Sequence, residues 1–422
     1  MPRVVVLGGG FAGFSAARAL QRARKSVREL EIVLVDRNNF MTFTPLLPEA
    51  ATGSVEVRAV TQPLRALLPH VRMELGDVLS IDQQARTVSV QHPLTRETTT
   101  IQYDELILAL GSVTATMGVE GVERCTLPLR TVADAERLRT ALVSAIEVAS
   151  DTHDLVERDR LLRFVIVGGG FTGVEAAGEL TAFLRGIIAY YPALAKHRPS
   201  VVLVQAAQRL LPHLPQRFGK YAARVLHRRG VEIRTEMEVE RVDPSGLTLK
   251  NGERYESRTI LWDAGNEPVP FVKRLGLPLS KHGAIETERD CSVKGCAHLW
   301  AIGDCAAVPK GKDGTYAPLA QNAVREGPLA ARNAIARLRG STTKPFTYQR
   351  LGQMASLGNR HAVAQLPGGL MVTGFSAWLL WRMYYLSRVP SAARRMRVAL
   401  DWSLDLAYTP SPARLPMVEK SQ

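Results

Sequence analysis

The sequence predicts an α/β fold built twice, on three observations. A short apolar strand runs into a glycine cluster and then a helix at "VVVLGGGFAGFSAARAL" (residues 4–20), and again at "RFVIVGGGFTGVEAAGEL" (163–180). A second apolar strand follows each copy: "LEIVLVDR" (30–37) and "SVVLVQAAQRLLP" (200–212). Each half then closes on a further apolar strand that ends in glycine, "YDELILALGS" (103–112) and "RTILWDAGNEP" (258–268), and "HLWAIGDCAAV" (298–308) returns the chain to the first half. Continuous Val/Ile/Leu runs separated by helices are the pattern of parallel sheets covered on both faces.

In the first copy, Gly8-x-Gly10-x-x-Gly13 permits a tight turn, close approach of the backbone to a pyrophosphate and close helix–strand packing. The helix N-terminus then offers oriented N–H donors to the phosphates. Asp36 ends the following strand, about 20 residues on, where a carboxylate accepts hydrogen bonds from a ribose. The second copy repeats the loop as Gly168, Gly170 and Gly173, but its strand ends in the neutral Gln205. No acid stands there to repel a 2′-phosphate, and Arg209 follows four positions later. NADPH is therefore open beside NADH, with Gln205 bonding the 2′-hydroxyl of NADH as the equal alternative. Two such loops imply two dinucleotides, one resident and one exchangeable. The carboxylate in Gly303-Asp304 suits ribityl hydroxyls.

These segments, with "FTPLLPEAATG" (43–53), "PLAQNAVREG" (318–327) and an aromatic, basic C-terminal tail, resemble the two-dinucleotide-binding-domain flavoproteins. Among these the chain looks like the type II, non-proton-pumping NADH:quinone oxidoreductases, over essentially its whole length. The resemblance implies two Rossmann-like domains, the second inserted in the first, plus a membrane-associating helical region. Residues 1–115 and 265–340 would form the FAD domain, 160–262 the NAD(P)H domain, and 345–422 a membrane-association or dimerisation region. Helices across 130–160 would join the two domains, and "GSTTKP" (340–345) reads as a linker.

The resemblance assigns FAD contacts to Gly8, Gly10, Phe11, Ala12, Gly13, Asp36, Arg37, Val78, Ala109, Gly111, Gly303, Asp304, Ala320 and Gln321. It assigns NAD(P)H contacts to Gly168, Gly170, Phe171, Thr172, Gly173, Glu175, Gln205 and Gly265. Pro45, Leu46, Gln321 and Arg325 would meet the quinone. The family's A-Q-x-x-x-Q element reads Ala320-Gln321-Asn322-Ala323-Val324-Arg325 here, so an arginine replaces its second glutamine. Glu175, expected on the first turn of the second loop helix, and Gln321 are the candidate catalytic residues. Glu175 would position nicotinamide or relay a proton; the alternative is an acid that complements a helix N-terminus. Hydride transfer from NADH, or NADPH, to flavin is the cofactors' chemistry and requires no nucleophile or metal from the protein. The nine histidines show no metal-ligand spacing, and His361 reads as structural.

Several other functions are disfavoured. The region "NNFMTFTPLLPEAATG" (38–53) lacks the cysteine pair of a disulfide reductase. Cys291 and Cys296 read as an incidental loop pair, and Cys305 as a small apolar residue. A sulfide:quinone oxidoreductase needs later cysteines than this chain has. A reductase of a soluble electron carrier needs no tail, and a non-turnover redox sensor would be reduced only slowly.

The tail "GFSAWLLWRMYYLSRVPSAARRMRVALDWSLDLAY" (374–408) holds Trp378, Trp381, Trp402, Tyr384, Tyr385 and Tyr408 among five arginines, Arg382, Arg388, Arg394, Arg395 and Arg397. Pro390 splits it into two pieces, each too short to span a bilayer. Aromatic rings at the headgroup level and arginines on anionic lipid are expected of a monotopic anchor; packing on the protein's own body or in a homodimer is the alternative. The excess of 54 Lys+Arg over 40 Asp+Glu, net +14, fits such a surface, and no nucleic-acid partner is expected. With four cysteines and the first strand starting at Arg3, a peripheral place on the cytoplasmic face of the cell or inner membrane is expected.

Overall fold

A computed structural model describes residues 1–24, 29–311, 314–349, 352–408 and 411–413. The end of the expected C-terminal region, 414–422, lies outside them. The chain divides into two units. The first comprises Met1–Thr42, Gln62–Val113 and Asn266–Arg350, and the second Phe43–Thr61, Thr114–Gly265 and Leu351–Gln422.

The first unit is built on a five-stranded parallel sheet in the order Leu299–Ala301, Glu105–Leu108, Arg3–Leu7, Glu31–Asp36, Arg72–Leu75. Arg3–Leu7 lies at its centre, so both faces of "VVVL" are covered, and Val4, Val5, Val6 and Leu7 have no exposure. One face packs on a core of Val33, Leu106, Val88, Val90 and Ile285. Helices Phe11–Ala23 and Ala320–Leu338 lie against one another, in a contact close enough that a Cβ on Gly327 would stand 2.4 Å from the carbonyl of Ala12. An antiparallel sheet of Asp77–Asp82, Thr87–Gln91 and Thr98–Gln102 completes the unit.

The second unit repeats the plan with a four-stranded parallel sheet, Val231–Thr235, Ser200–Gln205, Arg163–Val167, Thr259–Trp262. Helix Val132–Asp151 starts at a reciprocal cap between Thr131 and Asp134, which satisfies two otherwise orphaned N–H groups. The last part of the chain contributes an antiparallel sheet, Gln353–Ser356, Ala362–Gln365 and Met371–Thr373, and two helices, Gly374–Arg388 and Ala392–Asp405, with Pro390 between them. Among the described residues no helix is long and apolar enough to cross a membrane.

The tail's tryptophans follow the alternative expectation, packing on the protein's own body rather than facing outward. Trp378, Trp381 and Trp402 are buried, and so is Arg382, whose guanidinium lies 4.0 Å and 4.8 Å from the ring centres of Trp378 and Trp402. The physical reason is a buried acidic layer beneath them. Trp402 Nε1 donates to Glu49 Oε2 at 2.8 Å, and Arg382 lies 3.5 Å from Asp405. The outward faces instead carry Phe375, Leu379, Met383, Met396, Leu400, Leu404 and Tyr408.

Candidate active site

The two glycine loops have the same backbone. Gly8 and Gly168 sit at φ +100° and +116°, in the region open to glycine. The N–H of Gly8 donates to Val35 and that of Gly168 to Val204, each at 2.8 Å. A Cβ on Gly13 would stand 1.8 Å from the carbonyl of Gly8, and one on Gly173 would stand 1.8 Å from that of Gly168. Neither helix that follows, Phe11–Ala23 or Phe171–Ile187, has a side-chain cap or an acid in its first turn. An anion is what such a terminus accommodates, so both cradles fit a pyrophosphate.

Beside the first loop, Asp36 Oδ2 accepts from the N–H of Gly9 at 2.6 Å and Oδ1 from that of Asn38 at 2.7 Å. Burial raises its pKa, and those two N–H donors oppose the rise. Arg37 pairs with Asp77 at 3.2 Å on the surface, next to Val78. Ala109 is buried under the loop, with its carbonyl against Gly8. Ser112 donates to Asp304 Oδ2 at 2.7 Å, which brings Gly111 and Gly303-Asp304 to one place in this unit. A Cβ on Gly303 (φ +71°) would meet that of Ala12 at 2.9 Å and that of Ala323 at 3.8 Å. The start of helix Ala320–Leu338, with Ala320, Gln321 and Arg325, therefore lies along the same cradle. Arg325 Nη1 donates to the carbonyl of Gln321 at 2.6 Å.

In the second unit Gln205 takes the place of Asp36, its Oε1 accepting from Gly169 N–H at 3.0 Å. Arg209 turns its Nη2 onto the carbonyls of Pro212 and Leu214, at 3.0 Å and 3.3 Å. Thr172 and Gly173 both hydrogen-bond the carboxylate of Asp263, and burial raises that group's pKa to about 6. Gly265 follows at φ +102°, beside Met117. Pro45 and Leu46 form a single helical turn in this unit, with Leu46 wholly buried.

Glu175 lies one residue beyond the first turn of its helix, not on it, and is buried. Its Oε1 accepts from Ser356 N–H at 2.9 Å and from Trp381 Nε1 at 3.1 Å. The carboxylate thus joins the loop helix to the chain's final sheet and helices rather than serving the helix terminus. That approach is close: a Cβ on Gly178, three residues along the same helix, would stand 2.3 Å from the carbonyl of Leu357. Burial pushes the pKa of Glu175 up to about 8, against the two donors that lower it. Glu179 and Glu49, equally buried, are also raised by burial.

Sequence reasoning missed Asp263, although it directly follows an apolar strand. It also missed Glu326, whose Oε2 accepts from Gly303 N–H at 2.7 Å and whose pKa burial pushes up to about 7. The acidic layer of Glu49, Glu179 and Asp405 around Arg382 had no local signal, because its members come from separate helices. Tyr348, three residues past a segment read as a linker, was also missed. That segment is in fact held by Asn333, which exchanges two hydrogen bonds with Lys344 at 2.8 Å and 2.9 Å.

A family model for pyridine nucleotide-disulphide oxidoreductases matches residues 2–327, and one for the NDH2 C-terminal domain matches residues 350–406. The paired cradles are thus those of a nucleotide-dependent oxidoreductase class. The type II NADH:quinone oxidoreductase NdhA of Mycobacterium tuberculosis is 32% identical, covering 95% of this chain and 86% of that one. An internal alternative NAD(P)H-ubiquinone oxidoreductase A1 of Arabidopsis thaliana mitochondria is also 32% identical, covering 95% of this chain and 83% of its own. The fold matches NDH2 from Plasmodium falciparum, solved in complex with NADH, with a TM-score of 0.90 at 18% identity over 98% of this chain and 99% of that one. The chain belongs to the type II NADH:quinone oxidoreductases.

Proposed function

We propose that this protein oxidises NADH, or NADPH, and reduces a membrane quinone through a resident FAD, without pumping protons. NADH and one proton yield NAD⁺, and the quinone gains two electrons and two protons. FAD, when bound, supplies acceptance of the hydride and its onward passage as an electron pair. The observation that carries the reading is the pair of matched cradles with different strand ends, Asp36 in one and Gln205 in the other.

Residues 1–115 and 265–340 hold the flavin dinucleotide on Gly8, Gly10, Phe11, Ala12 and Gly13. Asp36, with Arg37 and Val78 beside it, binds the ribose, while Ala109, Gly111, Gly303, Asp304, Ala320 and Gln321 receive the ribityl and ring end. Residues 160–262 take the nicotinamide nucleotide on Gly168, Gly170, Phe171, Thr172 and Gly173, with Gln205 and Gly265. Burial favours the protonated form of the Glu175 carboxyl, whose Oε1 accepts from Ser356 and Trp381. Gln321 and Arg325 face the quinone; Pro45 is a separate candidate contact, and Leu46, with no exposed surface, is not one.

The tail rests on the membrane surface, with Phe375, Leu379, Met383, Met396 and Leu400 entering the interface and Arg388, Arg395 and Arg397 meeting anionic headgroups. The cytoplasmic face is the side where NADH is made available to it.

The test is anaerobic titration of the yellow holoprotein. NADH is expected to bleach the flavin, and a short-chain quinone to restore its colour. Failure to bleach with either nicotinamide overturns the reading; restoration by a soluble carrier but not by quinone makes the protein a carrier reductase.

A further inference from the structure

Arg325, the residue that departs from the family's glutamine, is engaged with more than its own helix. Its guanidinium carbon lies 4.0 Å from the ring centre of Tyr348, while its Nη1 bonds the carbonyl of Gln321. The Tyr348 hydroxyl in turn donates to Gln321 Oε1 at 3.2 Å. Arg325 and Tyr348 thus close a ring with Gln321, one bonding its backbone carbonyl and the other its amide oxygen. The segment is held in place for this. Tyr348 N–H donates to the hydroxyl of Tyr316 at 3.2 Å, and the rings of Tyr316 and Phe346 meet edge to face at 4.7 Å. Gln321, Arg325 and Tyr348 are all partly exposed, so a ligand can reach them.

A cation on the face of a phenol ring draws on its electron density and favours the hydroxyl as donor over acceptor. Tyr348 therefore donates and the Gln321 amide oxygen accepts, which fixes the orientation of the amide. Arg325 adds a positive guanidinium beside the Gln321 amide. The family's glutamine supplies neither the stack nor the charge. We propose that Arg325 and Tyr348 form a positioning pair that orients the Gln321 amide for a quinone head group and favours the quinone as its carbonyl oxygens take up electrons. This rests on the reading of Gln321 as part of the acceptor side.

The experiment uses the full-length holoprotein with NADH and a short-chain ubiquinone, comparing the wild type with Arg325→Gln, Arg325→Lys, Tyr348→Phe and the Arg325→Gln/Tyr348→Phe double variant. The readouts are KM for the quinone and the ratio of quinone turnover to the rate of flavin bleaching by NADH. Arg325→Gln is expected to raise the quinone KM about tenfold, the scale of one charge-assisted hydrogen bond. Arg325→Lys keeps the charge without the planar stack and restores only part of this. Tyr348→Phe keeps the ring for folding but removes the hydroxyl, and raises KM several-fold. The double variant is expected to be no worse than Arg325→Gln, because both act through one amide. An unchanged KM in Arg325→Gln, full rescue by lysine, or additive losses in the double variant overturns the pair. A wild type that NADH bleaches but quinone does not reoxidise overturns the pair together with the proposed function, and the wild-type trace alone distinguishes that case.

Discussion

The two glycine loops of this chain are the same device, and they differ in what surrounds it. Each turns on a glycine at positive φ, each leaves no room for a Cβ on Gly13 or Gly173, which would stand 1.8 Å from the carbonyl of Gly8 or Gly168, and each gives the N–H of Gly9 or Gly169 to the residue that ends the next strand. The first loop bonds a carboxylate at 2.6 Å, the second an amide at 3.0 Å. A charged acceptor makes the shorter, stronger bond and adds a negative charge at the end of the strand. One turn further on, Ser15 stands in the first helix, while Glu175 in the second binds Ser356 and Trp381. The two loops therefore share one backbone geometry, and the individuality of each lies in side chains that meet only after folding.

The largest expected effects come from filling one cradle at a time. Gly13→Ala drives a methyl into the Gly8 carbonyl, and the protein should purify without flavin colour. Gly173→Ala should purify yellow but lose bleaching by NADH by at least about 100-fold. Absorbance spectra before and after NADH check both, and a colourless Gly173→Ala would show that the two loops are not separate in function.

Exchanging the strand ends should produce the next largest effect. Gln205→Glu places a negative charge where the 2′-phosphate of NADPH would come, so the NADPH to NADH ratio of kcat/KM should fall by roughly 10- to 100-fold. Asp36→Asn should weaken FAD by about tenfold, seen as a raised Kd on reconstitution.

A smaller effect is expected in the pH dependence of stability. The folded-state pKa of Glu175 is raised from 4.5 to about 8. Its proton is therefore held more tightly in the folded protein, and its contribution is complete below about pH 4.5. That contribution should be lost progressively as pH rises towards 8, lowering the Tm. Glu175→Gln should flatten this part of the Tm profile while its Oε1 still accepts from Ser356 and Trp381. Smallest of all, Trp402→Phe removes the indole donor from Glu49 and should cost about 1–3 kcal/mol in denaturant unfolding. The same change in the first unit's Trp300, which bonds Glu105 at 2.6 Å, should not disturb the tail.

Much of the fold was legible because its signals are local. The runs "VVVL" and "FVIV" had to be central strands once glycine loops followed them, and Pro390 had to divide the tail helices. The candidate site was legible only where a residue sits at a set distance from such a run, as Asp36, Gln205 and Glu175 do. The tail misled. Its tryptophans read as membrane-facing because composition records which side chains are present and not which way they point. In the structure they cover Glu49, Glu175 and Arg382, and plainer residues such as Leu379, Met383 and Leu400 face outward.

By itself, then, the sequence determined the two cradles, the charge difference at their strand ends and the order of the elements, because turn chemistry and hydrophobic period act between near neighbours. Tertiary structure alone decided that Glu175 would be held by Ser356 and Trp381, that Glu326 would meet Gly303, and that Arg325 would stack on Tyr348. These contacts join residues far apart in the chain. Their energies come from burial and from hydrogen bonds in a dry interior, and neither exists until the chain has folded.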